Sequence, residues 1–213
     1  MDLLSGKAHT LALESTKRLR TLAVSPAKDA LVAIAEDGKA MLFNLPRNKV
    51  LHHFSFKHAV RCAKFSADGK FLAVATGRLL QIWNMPFEGK SFAPFKLVRT
   101  FGGATSEVLC LDWNKNGTEI VQGSEDSIAR VFSLSPHVGV DGKFQATSLT
   151  SHRDSVVGAF FCKGEEHICS VARDAVAFLW VRKGLITKGE LANGQPCCSI
   201  GRDVQPQKVD MDN

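Results

Sequence analysis

Short runs of alternating apolar and polar residues, broken by turn residues, fill most of this chain. LRTLAVS (19–25), VRCAKFS (60–66), VLCLDWN (108–114) and VVGAFFC (156–162) each alternate with a period near two, which marks a half-buried strand. A polar turn follows each run: PAKD, ADGK, KNGT and KGEE. A second, mostly small and apolar strand comes next: ALVAIA, FLAVAT, EIVQGS and HICSVA. After a tight turn, a third strand ends in an aromatic. A fourth strand is predicted over 49–56 (KVLHHFSF), 96–101 (KLVRTF) and 144–149 (FQATSL). Strands this short, with turn signals every 8–12 residues, predict antiparallel β-structure. Helical periodicity is nowhere sustained.

Two sets of markers keep step through the chain. Phe65, Trp113 and Phe161 close the first strands at spacings of 48 and 48, and Val24 fills the same slot 41 residues before Phe65. Phe43, Trp83, Phe132 and Trp180 mark the third strands at spacings of 40, 49 and 48. Such self-similarity at a fixed period is the signature of a repeat architecture. Asp37, Asp126 and Asp174 each stand six residues before the third-strand aromatic, where the second unit has Gly77. Asp fits a tight turn because its carboxylate bonds nearby backbone N–H groups. Gly fits because it accepts positive φ. These residues are expected to build turns.

Units of 40–50 residues, four strands each, with a strand-ending Trp or Phe and a turn Asp, resemble WD repeats. The resemblance implies an all-β, WD-repeat β-propeller. About four blades are present, at 16–56, 57–101, 102–150 and 151–181. The string KAHTLALE (7–14) reads as a fourth strand of a preceding blade. We expect an arc of a larger, seven-bladed ring rather than a closed ring of four. Residues 182–213, polar and without periodicity, are expected to form a loop or disordered tail. In WD repeats, His152, Ser170, Asp174 and Trp180 would form a hydrogen-bonded set that locks the fourth blade. The other units end in Phe43, Trp83 and Phe132, and only the second offers a comparable histidine, His58, so apolar packing is expected to substitute there.

Composition narrows the function. No apolar run approaches the roughly 20 residues of a membrane-spanning helix, and MDLLSGKAHT has no signal-peptide pattern. The six cysteines form no CxxC pair, usage that suits a reducing compartment. Cys162, His167 and Cys169 lack a fourth metal ligand at usual spacing. Gly102-Gly103 is too little for a phosphate loop, and there is no GxSxG elbow. The reading is therefore not an enzyme, with no cofactor, metal or small-molecule substrate.

Charge is uneven. Residues 1–101 hold 16 Lys/Arg against 7 Asp/Glu (+9), and residues 102–213 hold 11 against 14 (−3), within a net charge of +6. A basic half suits phosphate or acidic protein surfaces, or a solvated basic surface. In a propeller, the loops before first strands share a rim with the turns after second strands. Those loops carry Lys17, Arg18, Arg20, Lys57, Arg61, Arg78, Arg153 and Arg173, a candidate RNA- or partner-binding rim, diluted by Glu36, Glu125 and Asp154. The connection MPFEGKSFAPF (85–95), with Phe87, Phe92 and Phe95, is too apolar to be merely solvated and is expected to pack on a blade or a partner.

The first two units say more than "blade". The strings VLHHF, GRLLQIW and the APF loop, within DGKAMLFNLPRNKVLHHFSFK and KFSADGKFLAVATGRLLQIWNMP, resemble the periodic tryptophan protein 2 family over about residues 2–181. That resemblance implies part of the first of two tandem propellers. It implies a scaffold subunit of the UtpB complex of the small-subunit processome, in the nucleus and nucleolus. Its partners would be other WD-repeat subunits of UtpB, pre-rRNA and small nucleolar RNA. Its work would be pre-rRNA processing and 18S rRNA maturation. The alternative is a general WD-repeat adaptor, such as a ubiquitin-ligase substrate receptor.

Overall fold

A computed structural model of the chain describes residues 17–85, 95–134, 146–162 and 167–181, with the backbone of 207–208. They form four antiparallel sheets. Blade one holds β1 (Leu19–Val24), β2 (Ala30–Ala35), β3 (Lys39–Asn44) and β4 (Lys49–Ser55). Blade two holds β5 (Val60–Phe65), β6 (Phe71–Thr76), β7 (Leu79–Asn84) and β8 (Lys96–Phe101). Blade three holds β9 (Val108–Trp113), β10 (Glu119–Ser124), β11 (Ala129–Ser133) and β12 (Thr147–Leu149). Blade four holds β13 (Val156–Phe161), β14 (His167–Ala172), β15 (Ala177–Val181) and the two-residue β16 (Gln207–Lys208). The pattern along the sequence stopped at Val181, yet Gln207–Lys208 from the expected tail pairs with Phe178 and Leu179 as a short fourth strand. Residues 7–14, Phe87 and Phe92 lie outside the described residues.

The first strand of each blade lies innermost, and β1, β5, β9 and β13 pack one on the next. No comparable packing joins β13 back to β1, so the described blades form an open arc. Three apolar layers fill the junctions. Val32, Ile34 and Leu42 of blade one meet Val60, Ala63 and Phe65 of blade two. Ala73, Ala75 and Ile82 meet Val108, Leu111 and Trp113. Val121, Ala129 and Val131 meet Val156, Ala159, Ile168 and Trp180. The alternation read from the sequence thus separates two faces, one toward each neighbouring blade.

Local turn chemistry repeats with the blades. Ser25 Oγ accepts from the Asp29 and Ala30 amides, Ser66 Oγ from Phe71 N, and Asn114 Oδ1 from the Thr118 and Glu119 amides. Three residues beyond each cap the chain turns left-handed, at Lys28 (φ 58°), Gly69 (φ 74°) and Gly117 (φ 67°). Every inner strand carries a bulge at the same place, opposite the end of the second strand, at Arg20, Arg61, Leu109 and Val157. A bulge adds twist and re-aims side chains, here at the rim.

The junction between blades three and four needs a residue without a side chain. A Cβ on Gly123 would lie 2.6 Å from both Cys110 Sγ and Val156 Cγ1, and 3.0 Å from the Val156 carbonyl oxygen. The equivalent second-strand positions hold Ile34, Ala75 and Val171. Gly123→Ala is expected to cost about 1–3 kcal/mol through overpacking. Denaturant unfolding should show a lower midpoint with an unchanged slope.

Candidate functional site

The rim begins with backbone ties between the loops that form it. Glu36 N donates to Arg18 O in blade one, and Arg173 N donates to Ser155 O in blade four. Val108 N of blade three donates to Gly77 O of blade two. These bonds gather the ends of inner strands and the second-to-third-strand turns at one end of the blades, as expected from the repeat.

The turn aspartates act as the sequence indicated. Oδ1 of Asp37, Asp126 and Asp174 accepts from the amide two residues on, Lys39, Ile128 and Val176, at 3.1, 3.2 and 3.1 Å. The residue between is left-handed: Gly38 (φ 82°), Ser127 (φ 63°) and Ala175 (φ 63°). Blade two differs. Register runs from Ala75↔Leu80, against Ile34↔Ala40 in blade one, so its turn is one residue shorter and has no Asp slot. Gly77 takes the left-handed position (φ 57°) instead.

All eight basic candidates are exposed: Lys17, Arg18, Arg20, Lys57, Arg61, Arg78, Arg153 and Arg173. Arg61 is not free for an outside anion, because its guanidinium bonds Glu107 at 2.8 Å. Acid is also more plentiful on this rim than the three residues named from sequence. Asp37, Glu107 and Asp174 join Glu36, Glu125 and Asp154. The basic surface therefore concentrates on blades one and two, at Arg18, Arg20, Lys57 and Arg78.

Blade four shows three of the four members of the expected locking set joined. Trp180 Nε1 donates to Ser170 Oγ at 2.7 Å, and His152 Nε2 lies 2.7 Å from the same hydroxyl. Asp174 stays outside, since His152 Nδ1 has no hydrogen-bond partner among the described residues and the carboxylate caps its own turn. His152 packs at 4.7 Å from Phe178, beside an open cleft lined by Ser151, Arg153 and Asp174. Burial holds the His152 pKa below its ordinary value, and the nearby Asp174 charge pulls the other way. The fold therefore favours neutral His152, while the unfolded chain binds its proton near the ordinary pKa of about 6.5. This contribution to stability is complete above that value and falls as pH drops below it. Melting temperatures measured downward through the mildly acid range should show that decline, and His152→Asn should flatten it.

The other blades replace the set with apolar packing, as expected. Phe43 is fully buried, and Phe132 stacks on Phe101 at 4.8 Å. Trp83 meets Phe54 and Phe56 edge to face at 5.0 and 5.6 Å. His58 is exposed and forms no such set. Phe95, read as part of a partner loop, packs on Phe54 at 4.8 Å and is buried; it belongs to the core.

Three ties were not evident from the sequence. Asp126 forms a two-pronged ion pair with Arg130, Oδ1 to Nη1 at 3.0 Å and Oδ2 to Nη2 at 2.9 Å, with both side chains 6% exposed. Asp126 Oδ2 also accepts from Thr105 N at 2.8 Å. Burial alone would raise the Asp126 pKa, but the Arg130 guanidinium and the Thr105 and Ile128 amides outweigh it and hold the carboxyl low. Lys64 Nζ meets Asp112 Oδ1 at 2.6 Å, and Asp112 Oδ2 accepts from Phe161 N of the next blade at 2.9 Å. Trp113 Nε1 donates to the Lys64 carbonyl at 2.9 Å. The signal for Arg130 was a cation four residues after a turn Asp. For Lys64 and Asp112 it was opposite charges at one repeat position.

Burial lifts the thiol pKa of Cys62 to about 12 and that of Cys110 to about 11; such thiols pack as small apolar groups. Among the described residues, no group of three or more His, Cys, Asp or Glu side chains is arranged to hold a metal.

Residues 48–84 and 95–133 match the family model of the WD domain, G-beta repeat. The periodic tryptophan protein 2 homolog of Schizosaccharomyces pombe is 34% identical over 192 residues, covering 89% of this chain and 22% of that protein. Periodic tryptophan protein 2 of Saccharomyces cerevisiae is 36% identical over 181 residues (84% of this chain, 19% of that protein). The Arabidopsis thaliana protein of the same name is 37% identical over 184 residues (84% and 20%). The chain thus spans about a fifth of the length of these relatives. A solved structure described as that of U3-55K superposes with a TM-score of 0.65 at 20% identity, over 79% of this chain and 50% of that one, a likeness of fold. The markers that keep step, the four-stranded blades and this similarity along the chain agree: it is a WD-repeat propeller chain belonging to the periodic tryptophan protein 2 family.

Proposed function

We propose that this chain is a non-catalytic scaffold of ribosome biogenesis. It acts in the nucleolus as part of the UtpB complex of the small-subunit processome, in pre-rRNA processing and 18S rRNA maturation. The observation that carries this reading is the 34–37% identity to periodic tryptophan protein 2 of three organisms, over 84–89% of the chain. Other WD-repeat subunits are its protein partners, and pre-rRNA and small nucleolar RNA lie within its assembly. The basic rim of blades one and two supports contact with phosphate, which positions a nucleic acid without reading its sequence. Exposed cations on separate loops of a rigid scaffold suit that task.

Purification of the tagged chain from its own cells at moderate salt, followed by mass spectrometry, tests the assembly. Processome subunits should co-purify. Recovery of ubiquitin-ligase components in their place would sink the scaffold reading in favour of a general adaptor. The rim is tested separately with Arg18→Glu combined with Arg78→Glu. Because each phosphate contact contributes to the salt dependence, the slope of log affinity against log salt for RNA should flatten by roughly 2. An unchanged slope removes these two residues from the RNA contact.

A further inference from the structure

The rim is only one end of the blades. At the other end lie the turns between first and second strands and the connections between third and fourth. Backbone bonds tie the two together in three blades: Leu45 N donates to Asp29 O, Met85 N to Lys70 O, and Leu134 N to Thr118 O. Turns of neighbouring blades also meet, since a Cβ on Gly117 would lie 3.7 Å from Ser66 Cβ and 4.0 Å from Asp68 Oδ1. These segments therefore form one surface. Inner strands of six residues separate it from the rim, a distance of about 20 Å at roughly 3.3 Å per residue.

That surface is basic. Lys28, Arg47, Lys49, Lys70, Lys96 and Lys115 are all exposed on it. They come from separate segments of blades one to three. Lys49 and Lys96 open the fourth strands of two blades at the same place, paired with Asn44 and Asn84. Of the six, only Lys70 has an ionic neighbour among the described residues, Asp68 at 3.9 Å. The acid at this end is engaged locally. Asp29 accepts from the Ser25 hydroxyl, Asp68 from the Ser66 hydroxyl and the Lys70 amide, and Glu119 is half-buried.

Lys28 marks the surface in a second way. Its backbone is left-handed (φ 58°) at the place where blades two and three have Gly69 and Gly117. A side chain in that conformation crowds the carbonyl that follows, a clash that glycine avoids. Backbone strain of this kind gathers at functional sites, and here it carries a cation. The chemistry of the surface favours phosphate over protein. None of the exposed large apolar side chains belongs to these turns, whereas a protein interface has an apolar core and is poor in lysine. A lysine-rich face without an apolar centre suits the RNA backbone, where charge dominates affinity.

We propose that this end of the blades is a second phosphate-binding face, holding a stretch of RNA separate from the one at the rim. It needs no contact at the rim, so the two faces stand or fall separately. Together they let one chain bridge two RNA segments.

The test is binding of a short labelled oligouridylate to the full chain, followed by fluorescence anisotropy. The wild type should take up two per chain, and Lys28→Gly combined with Arg47→Gln should leave one, at the rim. In the rim variant, Arg18→Glu with Arg78→Glu, binding should be confined to the opposite face. Adding the Lys28 and Arg47 substitutions there should flatten the slope of log affinity against log salt by roughly 1.4, the share of two phosphate contacts on a single strand. Should the rim reading fail, the wild type binds one oligouridylate and the Lys28/Arg47 variant none. Lys28→Gly alone should raise the denaturation midpoint, by relieving the left-handed backbone, and weaken RNA binding. A rise in midpoint with unchanged affinity overturns the role of Lys28. Unchanged stoichiometry and slope in the Lys28/Arg47 variant overturn the face. Polyglutamate that displaces the label from the rim variant as well as unlabelled oligouridylate of equal charge overturns the choice of phosphate and gives the face to an acidic protein.

Discussion

Asp126→Ala is expected to destabilise the chain by about 3–5 kcal/mol, because it leaves the Arg130 guanidinium buried without its counter-charge. For a chain of this size that lowers the melting temperature by on the order of 10 °C. The two-pronged geometry and the 6% exposure of both side chains separate this pair from exposed ion pairs such as Arg61–Glu107, whose worth is usually under about 1 kcal/mol. The carboxylate also accepts the Thr105 and Ile128 amides, so its loss loosens both the turn of blade three and the connection from blade two. The double substitution Asp126→Ala with Arg130→Met should recover much of the loss, since an apolar pair of similar volume removes the orphaned charge. Chemical denaturation of the single and double variants decides this. A single-variant cost below about 1 kcal/mol would mean that water reaches the pair.

Trp180→Ala is expected to cost about 3–5 kcal/mol, the range for emptying a buried aromatic site. Trp180 is 1% exposed in the layer formed with Val131, Val156 and Ile168. It also donates to Ser170, the hydroxyl that faces His152. Trp180→Phe keeps most of the apolar area and removes that donor, so it should cost only about 1–2 kcal/mol. Equal losses in the two variants would show that the hydrogen-bonded set, rather than the packing, holds blade four.

The strands were legible because alternation and turn chemistry both point to them. Eight first and second strands fall where the pattern placed them, and the aromatics from Phe43 to Trp180 sit in third strands. Rim residues were legible because topology alone assigns loops to one end of a propeller. Side-chain pairing was not, because it depends on the offset between neighbouring blades, which no local pattern carries. Arg61 reads as a free cation until Glu107, 46 residues away, is brought beside it. Asp174 reads as a partner of His152 until the turn claims its carboxylate. Phe95 reads as a residue that packs on a blade or on a partner, and only the fold shows that its ring lies on Phe54 of the neighbouring blade. The fourth strand of blade four escaped because two paired residues are too few to show alternation.

Blade three grips both neighbours partly through their main chains, Trp113 holding the Lys64 carbonyl and Asp112 the Phe161 amide. A bond to a peptide group is indifferent to the side chain that the residue carries. Residues 64 and 161 can thus change identity over generations while the spacing of the blades at these two bonds is kept. The inner wall of such an arc is open to rewriting by mutation in a way that a wall joined only side chain to side chain is not.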